Sequence, residues 1–172
     1  RRTASRTGGP GVRKPRADRY HRLVVRRLLM LFLTLVGRVF FRRIEVHGRD
    51  RLPDGPVILI GNHPNSLLDP LLIAITVGRP LAFAAKAPLF EQLGIGWIVK
   101  NAGGVPIHRR MDNAGKAVDN SAAFAALDDV LERGEAFAIF PEGISNPGPE
   151  LAPLKTGAAR IALGAASRGI RP

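Results

Sequence analysis

The chain has no cysteine, which rules out a disulfide framework, a thiolate zinc site and a cysteine nucleophile, and fits a reducing compartment. Aromatic residues make up only 6%, with one Trp and one Tyr. Platforms for stacking bases are therefore few and no nucleic-acid module is recognisable, so nucleic acid is set aside as a partner. Long apolar runs are also missing from the N-terminal region. The longest uncharged stretch there, Leu28 to Gly37, is ten residues, about half of the roughly 20 needed to span a bilayer. Several site motifs are absent as well. There is no G-x-S-x-G and no H-E-x-x-H, "RMDNAGK" lacks the first glycine of a phosphate-binding loop, and "GIGWIV" fails the dinucleotide fingerprint at its last glycine.

What is present is apolar and basic. With 172 residues and 45% hydrophobic content, the chain can bury one core, which predicts one compact domain with a tail. It opens on Arg rather than Met and ends on "GIRP", so it is expected to be part of a longer protein. The net charge of +12 is concentrated at the start, where residues 1–27 hold ten Arg or Lys against the single Asp18. Residues 1–19 combine Arg, Gly, Pro and Ser with almost nothing apolar, a composition that predicts a disordered basic tail. Residues 20–43 read as a basic amphipathic helix. In it Arg26, Arg27, Arg38, Arg42 and Arg43 bracket Leu and Phe, a pattern suited to an anionic membrane surface. An ordinary core helix with solvated arginines is the plainer alternative. A secretory signal is disfavoured because "VGRVFF" offers no small-x-small cleavage site.

From residue 55 the pattern alternates. "PVILIG" predicts a strand, "PLLIAITVG" a helix closed by Gly78, "LAFAA" a strand, and "PLFEQLGIGWIV" a helix in its first part. "GGVPIH" predicts a strand, residues 114–133 a helix capped by Gly134, "AFAIF" a strand, and "LKTGAARIALGAASRG" a helix. This order argues for an α/β fold, a mainly parallel or mixed sheet covered by helices. In such sheets ligands bind beyond the carboxyl ends of the strands. Three polar clusters converge there: His63 after "ILIGN", His108 and Arg109 after "GGVPI", and Pro141 with Glu142 after "AFAIF". A histidine near a carboxylate is the usual arrangement for a general base. Asp69 has a local explanation too, as the N-cap of a helix whose first residue is Pro70. His63, Asp69, His108 and Glu142 lack the local spacing of a metal site, so no metal is expected.

"NHPNSLLDP", "GGVPIHRR" and "FPEGIS", in that order, with "AAKAPLF" between the first two and "PLKTGAARIAL" after the third, resemble three of the four signature blocks of the glycerolipid acyltransferase family related to 1-acylglycerol-3-phosphate acyltransferase. The resemblance covers roughly residues 45–170, within an acyltransferase domain expected at 44–172 and incomplete at its C-terminus. It implies a glycerol-3-phosphate acyltransferase-like fold. There are departures: five residues rather than four separate His63 from Asp69, as in a subgroup resembling fungal-type glycerol-3-phosphate and dihydroxyacetone-phosphate acyltransferases. Pro106 and His108 stand where an aromatic residue and an acid are usual, and the fourth block should lie beyond Pro172.

The implied reaction moves a fatty acyl group from acyl-CoA, or from acyl carrier protein, to a hydroxyl of glycerol-3-phosphate or 1-acylglycerol-3-phosphate. His63 would be the base and Asp69 its orienting partner. Arg109 and Arg110 would grip the acceptor phosphate, Glu142 and Gly143 would shape the acceptor pocket, and Lys86 and Lys155 are weaker candidates for anion contacts. No cofactor is implied, since the thioester is a co-substrate. The location implied is the cytoplasmic face of a membrane. Rival readings are a catalytically silent membrane-binding module, or an acyltransferase for dihydroxyacetone phosphate or a lysophospholipid.

Overall fold

A computed structural model describes residues 16–109 and 117–172. Four strands form one sheet in the order β1-β4-β2-β3, with every pairing parallel. The strands are β1 (Val57–Ile60), β2 (Leu81–Lys86), β3 (Gly104–Ile107) and β4 (Ala136–Ile139). The helices are α1 (Arg16–Phe40), α2 (Leu68–Thr76), α3 (Ile95–Ala102), α4 (Ser121–Glu132) and α5 (Gly157–Ser167).

Each strand reads as a continuous apolar run because both faces of a parallel sheet are covered. Alternate residues divide between two cores. Val57, Leu59, Leu81, Phe83, Ala136 and Ala138 face one side, where Leu29 of α1, Ile73 and Val77 at α2 and Val99 of α3 pack. Ile58, Ala82, Phe137 and Ile139 face the other, against Leu127, Val130 and Leu131 of α4 and Ile161 and Ala165 of α5. Helices α2 and α3 follow strands that step one way along the sheet, and α4 follows a step the other way. Right-handed crossovers therefore place them on opposite faces.

Several expectations shift. Residues 1–15 of the predicted tail lie outside the described residues, but Arg16 to Arg19 are already helical. The basic helix ends at Phe40 rather than residue 43, and Arg43 pairs with Glu45 beyond it. Arg26, expected at lipid headgroups, turns inward instead and donates from Nη2 to the Leu81 carbonyl oxygen at 2.7 Å. Burial holds its guanidinium below the ordinary arginine range, with Glu135 acting the other way. In "PLFEQLGIGWIV" the α-helix is the second part: Ala87–Phe90 form a 3₁₀ turn and α3 begins at Ile95. The helix expected over 114–133 begins at Ser121, because Asp119 Oδ1 accepts the Ser121 amide at 2.8 Å and turns the chain there. Residues 114–116 lie outside the described residues, and Gly134 ends α4 where expected.

At the opposite edge from the strands' carboxyl ends, Arg79 gathers the carbonyls of Pro53, Asp54, Gly55 and Gly134, tying the entries of β1 and β4 together. Gly96 marks the closest backbone approach. A Cβ there would sit 2.3 Å from the Phe90 carbonyl oxygen, which is backbone and cannot step aside like a side chain. Gly96→Ala is expected to lose about 1–3 kcal/mol of stability through overpacking, read as a lower thermal midpoint. A parent-like midpoint would show that the 3₁₀ turn yields freely.

Candidate active site

The segment after β1 turns back before α2 begins, and the turn is held by side chains rather than by regular structure. The Leu68 amide donates to the Asn65 carbonyl oxygen at 2.7 Å, and Ser66 sits at φ 29°. Its amide donates to Ser145 Oγ at 3.0 Å. Asp69 does not cap α2, the local alternative offered for it. The helix starts at Leu68, with Leu67 at the cap position and no side-chain cap bond. From the first turn, Asp69 reaches back so that Oδ2 accepts the Asn65 amide at 2.8 Å and lies 2.9 Å from His63 Nδ1. An acidic group in the first turn of a helix also sits favourably in the helix dipole.

His63 and Asp69 are both mostly buried. A carboxylate oxygen accepts, so Nδ1 is the donor, and in the neutral imidazole the other ring nitrogen, Nε2, keeps its lone pair. The ring plane is fixed as well. The imidazole stacks on Phe140, with centroids 4.1 Å apart and planes 12° from parallel. Phe140 directly follows β4, so the chain leaving the strand next to β1 supplies the platform for the imidazole that follows β1.

Glu142, expected to shape an acceptor pocket, holds two segments of backbone together. It is 2% exposed, and both carboxylate oxygens face backbone amides: Oε1 accepts from His63 at 2.9 Å and Oε2 from Ala152 at 3.0 Å. The His63 carbonyl oxygen accepts from the Asn146 amide at 2.9 Å. His63 is thus held at both backbone polar groups by the loop after β4.

Gly143 is at φ 66°, and a Cβ there would meet Lys155 Nζ at 2.6 Å. The backbone angle is what favours glycine, since the exposed end of Lys155 can move aside. The Gly143 carbonyl oxygen accepts from Arg109 Nη1 at 3.0 Å, which brings the second and third polar clusters together. His108 is exposed, its amide donating to Asn120 Oδ1 and its carbonyl oxygen accepting from Asn120 Nδ2. Lys155 is exposed beside Gly143, and its amide donates to the Pro141 carbonyl oxygen. Lys86 is exposed at the end of β2. Arg110 lies outside the described residues. Among the described residues no three His, Asp or Glu side chains gather closely enough to hold a metal ion.

Sequence reasoning missed Phe140, Asn65, Ser145 and Asn146. Phe140 was visible only as the last apolar residue of a strand. Ser145 and Asn146 stood inside a turn-rich loop whose partner, 79 residues away for the Ser66–Ser145 contact, no local pattern names.

Residues 43–171 match the family model described as Acyltransferase. A chloroplastic 1-acyl-sn-glycerol-3-phosphate acyltransferase of Brassica napus is 29% identical over 147 residues, which is 84% of this chain and 40% of that protein. Another, of Arabidopsis thaliana, is 31% identical over 124 residues, 71% of this chain and 33% of that protein. The crystal structure of the 1-acyl-sn-glycerophosphate acyltransferase PlsC from Thermotoga maritima aligns with a TM-score of 0.64 at 25% identity, covering 90% of this chain and 58% of that one. The chain therefore spans less than two thirds of each of these three proteins.

The double role of the Glu142 carboxylate yields a test. Glutamine has the same shape but replaces one acceptor with an NH₂ group, so one of the two amides then faces a donor. Glu142→Gln should lose about 1–3 kcal/mol, the usual cost of a buried unsatisfied group, in denaturant unfolding. Parent-like stability would mean that the two amides find other acceptors.

Proposed function

Because the chain belongs to the acyltransferase family, we propose that it transfers a fatty acyl group from a thioester of coenzyme A or acyl carrier protein to a hydroxyl of glycerol-3-phosphate or 1-acylglycerol-3-phosphate, in phospholipid synthesis. The observation that carries this reading is the His63–Asp69 pair, with Nδ1 2.9 Å from Oδ2 and the ring seated on Phe140. His63 Nε2 takes the acceptor hydroxyl proton as the oxygen attacks the thioester carbonyl. The tetrahedral intermediate then collapses, the C–S bond breaks, and the imidazolium returns the proton to the departing sulfur. Because the acceptor oxygen is itself the nucleophile, no acyl-enzyme forms. A positioned base of this kind is worth about 10² to 10⁴ in rate. Asp69 holds the tautomer and balances the imidazolium charge.

Arg109, whose Nη1 donates to the Gly143 carbonyl, would grip the acceptor phosphate. A planar guanidinium can pair with two phosphate oxygens at once. The reading also places the protein on an anionic membrane, at the cytoplasmic face where anionic lipids attract basic segments. Two features support this: the outward side of α1, with exposed Leu28, Leu31, Phe32, Leu35, Val39 and Phe40, and its exposed Arg27 and Arg38. Among the described residues no helix is long and apolar enough to cross a membrane.

Release of free thiol from acyl-coenzyme A against a small panel of acceptors tests the chemistry. His63→Ala should abolish acceptor-dependent release while the fold persists, and unchanged turnover would remove the reaction as written. Asp69→Asn keeps an oxygen for the Asn65 amide but loses the charge, and should cost at least about two orders of magnitude in turnover, by analogy with triad aspartates.

Arg109→Ala should mainly raise the KM for a phosphorylated acceptor, since the ion pair already exists in the ground state. A fall in kcat with KM unchanged would assign Arg109 to holding the Gly143 loop alone.

A further inference from the structure

The two sides of the sheet differ in what they show to solvent. On the α4 and α5 side, the outer surface carries Asp128, Glu132 and Arg168, joined in ion pairs, and Arg160 lies over Phe124. The other side is apolar across three helices. Helix α2 has no ionisable residue besides Asp69, which faces His63, and most of it is only half-buried. Helix α3 buries Gly96, Val99 and Ala102, which leaves Trp97 56% exposed and Ile98 partly so. Just before it, Leu93 is fully exposed.

Helices α1 and α3 pack on each other over the same core, so their outward surfaces look out on the same side of the molecule. Past Asp18, α1 contains no acid, and the only charged residue of α3 is Lys100. Glu91 is the exposed acid nearest to Leu93. The helices on this side are therefore apolar, with exposed charges that are basic, Arg27, Arg38 and Lys100, while exposed Glu45, Asp50 and Glu91 lie in the connecting segments and Asp128 and Glu132 mark the opposite helices. A soluble surface exposing this much contiguous apolar area marks an interaction site, and the sign of the charges on its helices selects an anionic lipid surface.

We propose that the protein docks through the full α1–α2–α3 side rather than through α1 alone, with Leu93 and Trp97 entering the acyl boundary of an anionic bilayer as a second anchor. The proposal rests on the membrane reading above and extends it to the catalytic edge. The turn holding Leu93 follows the carboxyl end of β2, and α2 begins beside His63 with Leu67 exposed. A bilayer against this side meets the rim of the site, where an acceptor or donor with a long acyl chain can enter without leaving the lipid.

Trp97 is the only tryptophan in the chain, so its emission reports on α3 directly. The intact chain is mixed with phosphatidylglycerol vesicles, and co-sedimentation and fluorescence are recorded together, with phosphatidylcholine vesicles for comparison. The expected result is co-sedimentation with a blue-shifted Trp97 emission that lipids brominated in the acyl chain quench. Leu93→Glu should weaken binding at least tenfold with an unchanged unfolding midpoint, since a fully exposed side chain supports no packing. If the parent sediments with vesicles while Trp97 emission stays unchanged and Leu93→Glu binds like the parent, α1 is the sole anchor: the proposal falls and the membrane reading stands. If nothing sediments, both fall. If the chain elutes as a dimer whose Trp97 is already shielded without lipid, a second copy covers this side and the proposal is overturned.

Discussion

A carboxylate that is 2% exposed is expensive to bury unless each of its oxygens finds a donor. Glu142 meets that requirement with two backbone amides from different segments, those of His63 and Ala152. The requirement runs both ways: those amides belong to irregular chain, where no neighbouring strand or turn of helix serves them. The loop after β1 and the loop after β4 are thus fastened to one buried group, and the position of His63 follows from it. This arrangement needs β1 and β4 to be adjacent, which their parallel pairing provides from Val57–Ala136 to Ile60–Ile139.

Around that fastening, each contact removes one freedom from the His63 imidazole. Phe140 sets the plane of the ring, Asp69 sets which nitrogen carries the proton, and the Asn146 amide fixes the backbone beneath it. Asp69 in turn is positioned by a helix with almost no polar surface, whose first turn favours a negative charge. Preorganisation of this kind means that little reordering is left for the moment of proton transfer. Arg109 reaches the same loop from β3 through the Gly143 carbonyl, so all three polar clusters meet on one short stretch, Phe140 to Asn146.

Sidedness is the second property of the fold. The right-handed crossover rule sends α2 and α3 to one face and α4 to the other, and α1 joins the first. The composition of the helices follows this division, with apolar exteriors on the α1–α2–α3 side and paired charges on the α4–α5 side. A basic helix read alone would be a detachable anchor. Arg26 and Leu29 show instead that α1 is built into the core over β2 and α3.

Three of the four strands were legible because a parallel strand buried on both faces leaves an uninterrupted apolar run, and "VILI", "LAFAA" and "AFAI" have no other economical explanation, while β3 showed as "GGVPIH", entered through two glycines. The site residues His63, Asp69, Arg109 and Glu142 were legible as chemistry-bearing residues just beyond strand ends, and the three ordered blocks pointed to the family. Their roles were less so. Helix starts moved by several residues where side chains intervened, as when Asp119 took the Ser121 amide and Asn120 turned back to His108. Asp69 looked like a cap because capping is judged from neighbours in sequence, whereas the chain had already become helical at Leu68. Arg26 looked like a headgroup contact because its acceptor, the Leu81 carbonyl, lies 55 residues away. By itself the sequence determined the element types, the sheet's burial and the residues able to move a proton or hold a phosphate, since these depend on short-range pattern and side-chain chemistry. The strand order, the fastening of two loops to Glu142, the stacking of His63 on Phe140 and the apolar side of the molecule were decided only by tertiary structure. Each is a contact between segments far apart in the chain, which local periodicity does not encode.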